Sequence, residues 1–118
     1  DALAVQAVNA LAEKQLAGKV CVVGQDADVE ACQKVVEGLQ SMTVYKDVDL
    51  LAKTAAQYSV MLAQELDLTG VTDTVKSGNY TVKTKLLEPI AVTKNNMDEV
   101  IIGSGFHMEE DVYLNMAK

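Results

Sequence analysis

The feature that most constrains the fold is the apolar run "KVCVVG", residues 19–24. It is too short for an ordinary helix and does not alternate, so it reads as a strand buried on both faces, as in a parallel sheet. Such a strand needs helices around it, and the flanking sequence supplies them. Residues 2–16 place Leu3, Ala4, Ala7, Val8 and Leu11 at helical spacing, with Gln6, Asn9 and Glu13 as the polar stripe. Asp1 is the expected N-cap and Gly18 lies just past the end. Residues 28–38 predict a second helix, with Asp28 as N-cap, Glu30 in the first turn and Gly38 near the end.

The pattern then repeats. "SMTVYK" (41–46) reads as a strand, and residues 47–66 as a long helix in which Tyr58 and Met61 fall at core-like spacing. Residues 67–79, rich in Thr, Asp and Gly, read as a loop. "YTVKTKLL" alternates like an edge strand or ribbon, and "EPIAVT" is a further short strand opened by the one proline. Residues 94–106 suggest a short helix and a turn anchored by Phe106, and 107–118 one or two closing helical turns. Alternating helix and strand give an α/β class with parallel pairing, though three or four strands make a thin sheet.

Charge and composition narrow the function classes. The net charge is −7 and all ten basic residues are lysine. Such a surface repels phosphate backbones and anionic membranes, so no nucleic-acid partner is expected. No apolar run approaches the ~20 residues of a membrane span. No secretory leader follows Asp1, so the chain is expected to be mature, trimmed or a piece of a longer protein. Cys21 and Cys32 are expected as small buried apolar residues rather than a disulfide.

Two residues are candidates for ligand contact. Asp26 follows the 19–24 run directly, at the strand edge beyond which open α/β sheets bind ligands. A carboxylate there can accept from vicinal sugar hydroxyls; the plainer reading is a solvated loop residue, with Asp28 starting the helix. Lys46 ends the next strand and can donate to a ligand oxygen, or pair with Asp26 or Asp47; the plainer reading is an ordinary surface lysine. His107, the one histidine, lacks partners at metal or catalytic spacing and reads as a turn residue. "GSG" at 103–105 lacks the strand and helix of a phosphate loop, and Glu109, Glu110 and Asp111 form a solvated acidic face. No catalytic set, metal or cofactor follows, and no enzyme activity is expected.

The stretch "VVGQDADVEACQKVVEGLQSMTVYKDVDLLAKTAA", with the tail "LLEPIAVTKNNMDEVIIGSGFHMEEDVY", resembles the sugar-binding proteins of ABC transporters with the type I periplasmic-binding fold, and among them the D-xylose binders. The resemblance implies parts of two Rossmann-like lobes, parallel sheets flanked by helices, closing on a sugar by hinge motion. Residues 1–45 would belong to the second lobe, 46–88 to the first with the hinge crossings, and 89–118 to the second again, the receptor's amino-terminal portion being absent. It also implies that Asp26 accepts sugar hydroxyls and that Lys46 is the polar hinge contact. A further family contact, an asparagine, would stand immediately before Asp1.

The partners so implied are a monosaccharide (D-xylose or similar), ABC permease subunits and the rest of the receptor, in a periplasmic or extracytoplasmic compartment with a lipid anchor left open. Alone, the chain would expose apolar faces and is expected to be unstable or to self-associate. The rivals are a sensor of the same fold signalling to a chemoreceptor or kinase, and the effector domain of a sugar-responsive repressor. The tail "GFHMEEDVY" favours the transport receptor. A dehydrogenase fragment lacks a nucleotide loop.

Overall fold

The computed structural model describes residues 1–116 and divides into two compact units, Asp1–Lys46 with Pro89–Lys118, and Asp47–Glu88. In the first unit α1 spans Ala2–Glu13 and α2 spans Val29–Val36. β1 spans Thr43–Tyr45 and β4 Ile90–Val92; a π-helical turn (Asp98–Ile102) and α4 (Glu109–Val112) follow. The second unit holds α3 (Val48–Ala63) and the strands β2 (Asp73–Ser77) and β3 (Tyr80–Thr84).

α1 buries Ala4, Val5 and Val8 rather than the wider stripe expected; Leu3 is 88% exposed, and Ala7 is exposed too. The helix ends at Glu13 because Gln15 turns left-handed (φ 56°), short of the expected stop at Gly18. Asp1 makes no side-chain cap on α1. α2 buries Ala31, Cys32, Val35 and Val36 and packs against α1, α4 and β1. Cys32, Val35 and Val36 form the core cluster with Ala27, Tyr45, Val92, Met97, Ile101 and Val112. Tyr113 donates its hydroxyl to Asp98 Oδ1 at 2.6 Å, fastening α4 to the π-helical turn.

The 19–24 run departs from expectation. It forms a single parallel bridge, Val23 to Met42, and Cys21 and Val23 are exposed. Its pairing with the β1 side is nonetheless continuous. Ser41 N donates to Val22 O (2.8 Å), Gly24 N to Met42 O (3.0 Å), Val44 N to Gly24 O (3.1 Å) and Asp26 N to Val44 O (2.8 Å). The segment has a neighbour on one edge, so the double-sided burial that its composition suits is not met within the described residues. Both cysteines are free, and Cys32 alone is buried.

β4 pairs with β1 antiparallel, Thr43 opposite Val92 and Tyr45 opposite Ile90, which corrects the expected parallel pairing. An antiparallel neighbour needs no right-handed crossover, and the long excursion from residue 46 to 89 lets the chain return in either direction. β2 pairs with β3 antiparallel through the two-residue turn Gly78–Asn79, with Gly78 at φ 58° as a type II′ turn requires. β2 was expected to be loop. Every one of its residues is exposed, so no buried alternation marks it. α3 starts at Asp47, whose Oδ1 accepts from Leu50 N at 2.9 Å. No residue of α3 is buried, so Tyr58 and Met61 are partly covered rather than core.

Candidate functional site

The paired segments 22–26 and 42–46 run parallel and end together, and this brings Asp26 and Lys46 to the same edge. Lys46 Nζ lies 2.6 Å from Asp26 Oδ1, with both side chains about half exposed (51% and 53%). The lysine holds the Asp26 carboxyl below the usual carboxylate range, first through this hydrogen bond. Of the three roles open to Lys46 in the sequence, the structure displays the pairing with Asp26. The pair offers an anionic acceptor and a cationic donor side by side at the surface, the complement of a hydroxyl that both donates and accepts.

The backbone under Asp26 is unusual. Asp26 has φ 102° and Ala27 φ 55°, two successive non-glycine residues in left-handed space. Such residues cost roughly 1–3 kcal/mol each and persist only where their surroundings fix them. Here the surroundings come from remote positions. Asp1 Oδ2 accepts from Asp28 N (3.0 Å) and from Thr43 Oγ1 (2.7 Å), and Thr43 Oγ1 accepts from Ala27 N (3.2 Å). Asp1 Oδ1 accepts from Gln40 Nε2 (3.3 Å), and the Asp1 nitrogen donates to Gln25 O (2.7 Å). The carboxylate expected to cap α1 therefore organises the loop that enters α2. Asp28 stands at the N-cap of α2 without a side-chain cap bond.

Sequence reasoning missed His107. Its Nε2 lies 2.7 Å from the carbonyl of Ala27, eighty positions away, and its ring is 4.4 Å from that of Phe106. Phe106 in turn lies 4.8 Å from the ring of Tyr45, the residue before Lys46. Spacing along the chain carries no signal for such a contact. Elsewhere, a shallow cavity of about 350 Å³ is lined by Glu109, Glu110, Tyr113, Leu114 and Met116 and includes neither Asp26 nor Lys46. Among the described residues no group of His, Cys, Asp and Glu has the arrangement of a metal site, and no helix is long and apolar enough to cross a membrane.

A model of the periplasmic binding protein domain matches residues 1–67, more than half of the sequence. The chain belongs to the periplasmic binding protein family. Within the family it is 42% identical to the D-xylose-binding periplasmic protein of Haemophilus influenzae over 96% of this chain and 34% of that protein. It is also 42% identical to the D-xylose-binding periplasmic protein of Escherichia coli, over 95% of this chain and 34% of that protein. A carbohydrate transporter solute-binding protein from Chloroflexus aurantiacus, solved in complex with D-glucose, superimposes with a TM-score of 0.79 at 31% identity, over 92% of this chain and 32% of that one. These matches bear out the type I periplasmic-binding fold, apart from the antiparallel strand pairs. The chain spans about a third of the length of the curated relatives that it matches.

Proposed function

We propose that this chain supplies part of the sugar site of an extracytoplasmic receptor that delivers a monosaccharide, D-xylose or one closely similar, to an ABC permease. The observation that carries the reading is the Asp26–Lys46 pair at 2.6 Å, at the end of parallel-paired segments with its aspartate on left-handed backbone. Family membership and the names of the relatives support it. In this reading Asp26 accepts from two sugar hydroxyls and Lys46 donates to a sugar oxygen. Sugar and protein exchange hydrogen bonds only, so the ligand leaves unchanged.

We assign Asp1–Lys46 with Pro89–Lys118 to the second lobe of such a receptor and Asp47–Glu88 to the first, with hinge crossings near Lys46 and near Glu88–Pro89. The chain's division into units at the same places supports this. Ligand contacts from both lobes then favour the closed form by population shift.

The test replaces the matching segment of the Escherichia coli D-xylose-binding protein with this chain and measures D-xylose binding by calorimetry. The graft should bind. A hydrogen bond to a charged group contributes about 1.5–3 kcal/mol, so Asp26→Ala should weaken binding by roughly tenfold or more. Unchanged affinity in a folded Asp26→Ala graft would refute the role given to Asp26.

A further inference from the structure

We propose that His107 is a positioning residue for the Asp26–Lys46 pair, acting through Ala27 and, with Phe106, through Tyr45. The proposal rests on the sugar-site reading for its consequence and on geometry alone for its substance.

Ala27 is fully buried and left-handed, and it directly follows Asp26. The peptide group joining Ala27 to Asp28 is gripped at both ends. Its N–H reaches Asp1 Oδ2 at 3.0 Å, and its carbonyl faces His107 Nε2 at 2.7 Å. Cys32 Sγ is also aimed at that carbonyl, at 3.5 Å, but a thiol is a weak donor. Holding this peptide plane fixes the ψ of Ala27, one torsion of the left-handed turn on which Asp26 stands. The imidazole thus restrains the turn beneath the carboxylate. The neighbouring ring contact does the same for the other partner, since Phe106 lies against Tyr45, one residue before Lys46. One dipeptide, Phe106–His107, thereby touches the residue beside each member of the pair.

A carbonyl oxygen only accepts, so Nε2 must carry the proton. This yields a direct observable. In the ¹⁵N-labelled chain at alkaline pH, where an imidazole is neutral, long-range ¹H–¹⁵N spectra should show His107 with hydrogen on Nε2 and a bare Nδ1. A bare Nε2 would overturn the proposal, whatever the variants do.

Two variants separate positioning from packing. His107→Leu keeps apolar bulk and removes the donor, whereas His107→Gln restores an N–H donor. With His107→Leu, the Asp26 carboxyl followed by ¹³C NMR should titrate closer to the ordinary carboxylate range than in the parent. In the grafted receptor the D-xylose Kd should rise about five- to tenfold, the worth of one ordinary hydrogen bond. His107→Gln should recover most of both changes. Equal loss in both variants, or an Asp26 titration unmoved by His107→Leu, would overturn the proposal. If the parent graft binds no D-xylose while the Asp26 titration responds to His107→Leu and recovers with His107→Gln, the positioning role stands and the sugar reading fails.

Discussion

Asp1→Ala tests whether remote hydrogen bonds, rather than local sequence, set the loop that carries Asp26. The carboxylate accepts from Thr43 Oγ1 at 2.7 Å, Asp28 N at 3.0 Å and Gln40 Nε2 at 3.3 Å. The third is long and counts for little. Each of the others is a bond to a charged group, worth about 1.5–3 kcal/mol. Asp1 is half-buried, so water replaces part of the loss and the lower figure applies. Thr43 is fully buried, so water does not readily replace its lost acceptor. Two bonds at the low end give a loss of about 3 kcal/mol. In a domain of this size that lowers Tm by at least about 10 °C. Asp1→Asn keeps one oxygen that can serve Thr43 and Asp28, and should cost about 1 kcal/mol. Urea unfolding followed by circular dichroism measures both losses, and hydrogen exchange of the Asp28 amide reports the loop itself. A loss below about 0.5 kcal/mol for Asp1→Ala, the range of ordinary surface changes, would refute the reasoning if Asp28 also stayed protected.

Further consequences can be measured on the same chain. At Gly24 a Cβ would collide with Asp1 Oδ1 and come within 2.8 Å of Gln40 Nε2, so Gly24→Ala should destabilise by about 1–3 kcal/mol in urea titrations. The Asp26 carboxyl is depressed by Lys46, so the pair's contribution is present above the usual carboxylate pKa and is lost as pH falls through the lowered value; Lys46→Met should move the Asp26 titration upward in ¹³C spectra. A thiol reagent at neutral pH should label exposed Cys21 quickly and Cys32 only on unfolding, since burial pushes the Cys32 thiol up to about 11; equal labelling rates in the native chain would contradict the placement. Amides of Asp47–Glu88 should exchange faster than those of α2, because α3 has no buried residue and neither does the β2–β3 hairpin.

Legibility in the sequence follows how local each cause is. The two helices expected at 28–38 and 47–66 were legible because their signals lie within one or two turns and need no distant partner. The edge position of Asp26 was legible too, since a polar residue after an apolar run marks where pairing stops. Burial on the 19–24 run was not, because it depends on what lies along the second edge of that segment. The β2 strand was hidden by the lack of any buried face, and the direction of β4 by the excursion before it. Asp1 shows the same limit in a different form. Its place before α1 suggested a cap, but its oxygens are drawn to Thr43, Asp28 and Gln40, which its own neighbourhood does not reveal.

The site divides its labour in a way that explains these successes and failures together. The groups with exposed chemistry, Asp26 and Lys46, sit where segment ends leave them, so their positions follow from short-range pattern. The groups that hold them are drawn from residues 1, 43 and 107, because strained backbone at φ 102° and 55° cannot be held by its own neighbours, which share the strain. A carboxylate whose aim depends on such backbone gains rigidity only when the supporting bonds come from separately folded elements, here the start of α1, β1 and the turn before α4. That arrangement makes the loop's conformation a report on the fold of the whole first unit. In the proposed sugar site, the cost of a displaced Asp26 would fall on residues given no ligand contact, so substitutions at Asp1, Thr43 and His107 should impair binding in proportion to how far they release the 26–28 backbone rather than to their distance from the Asp26–Lys46 pair.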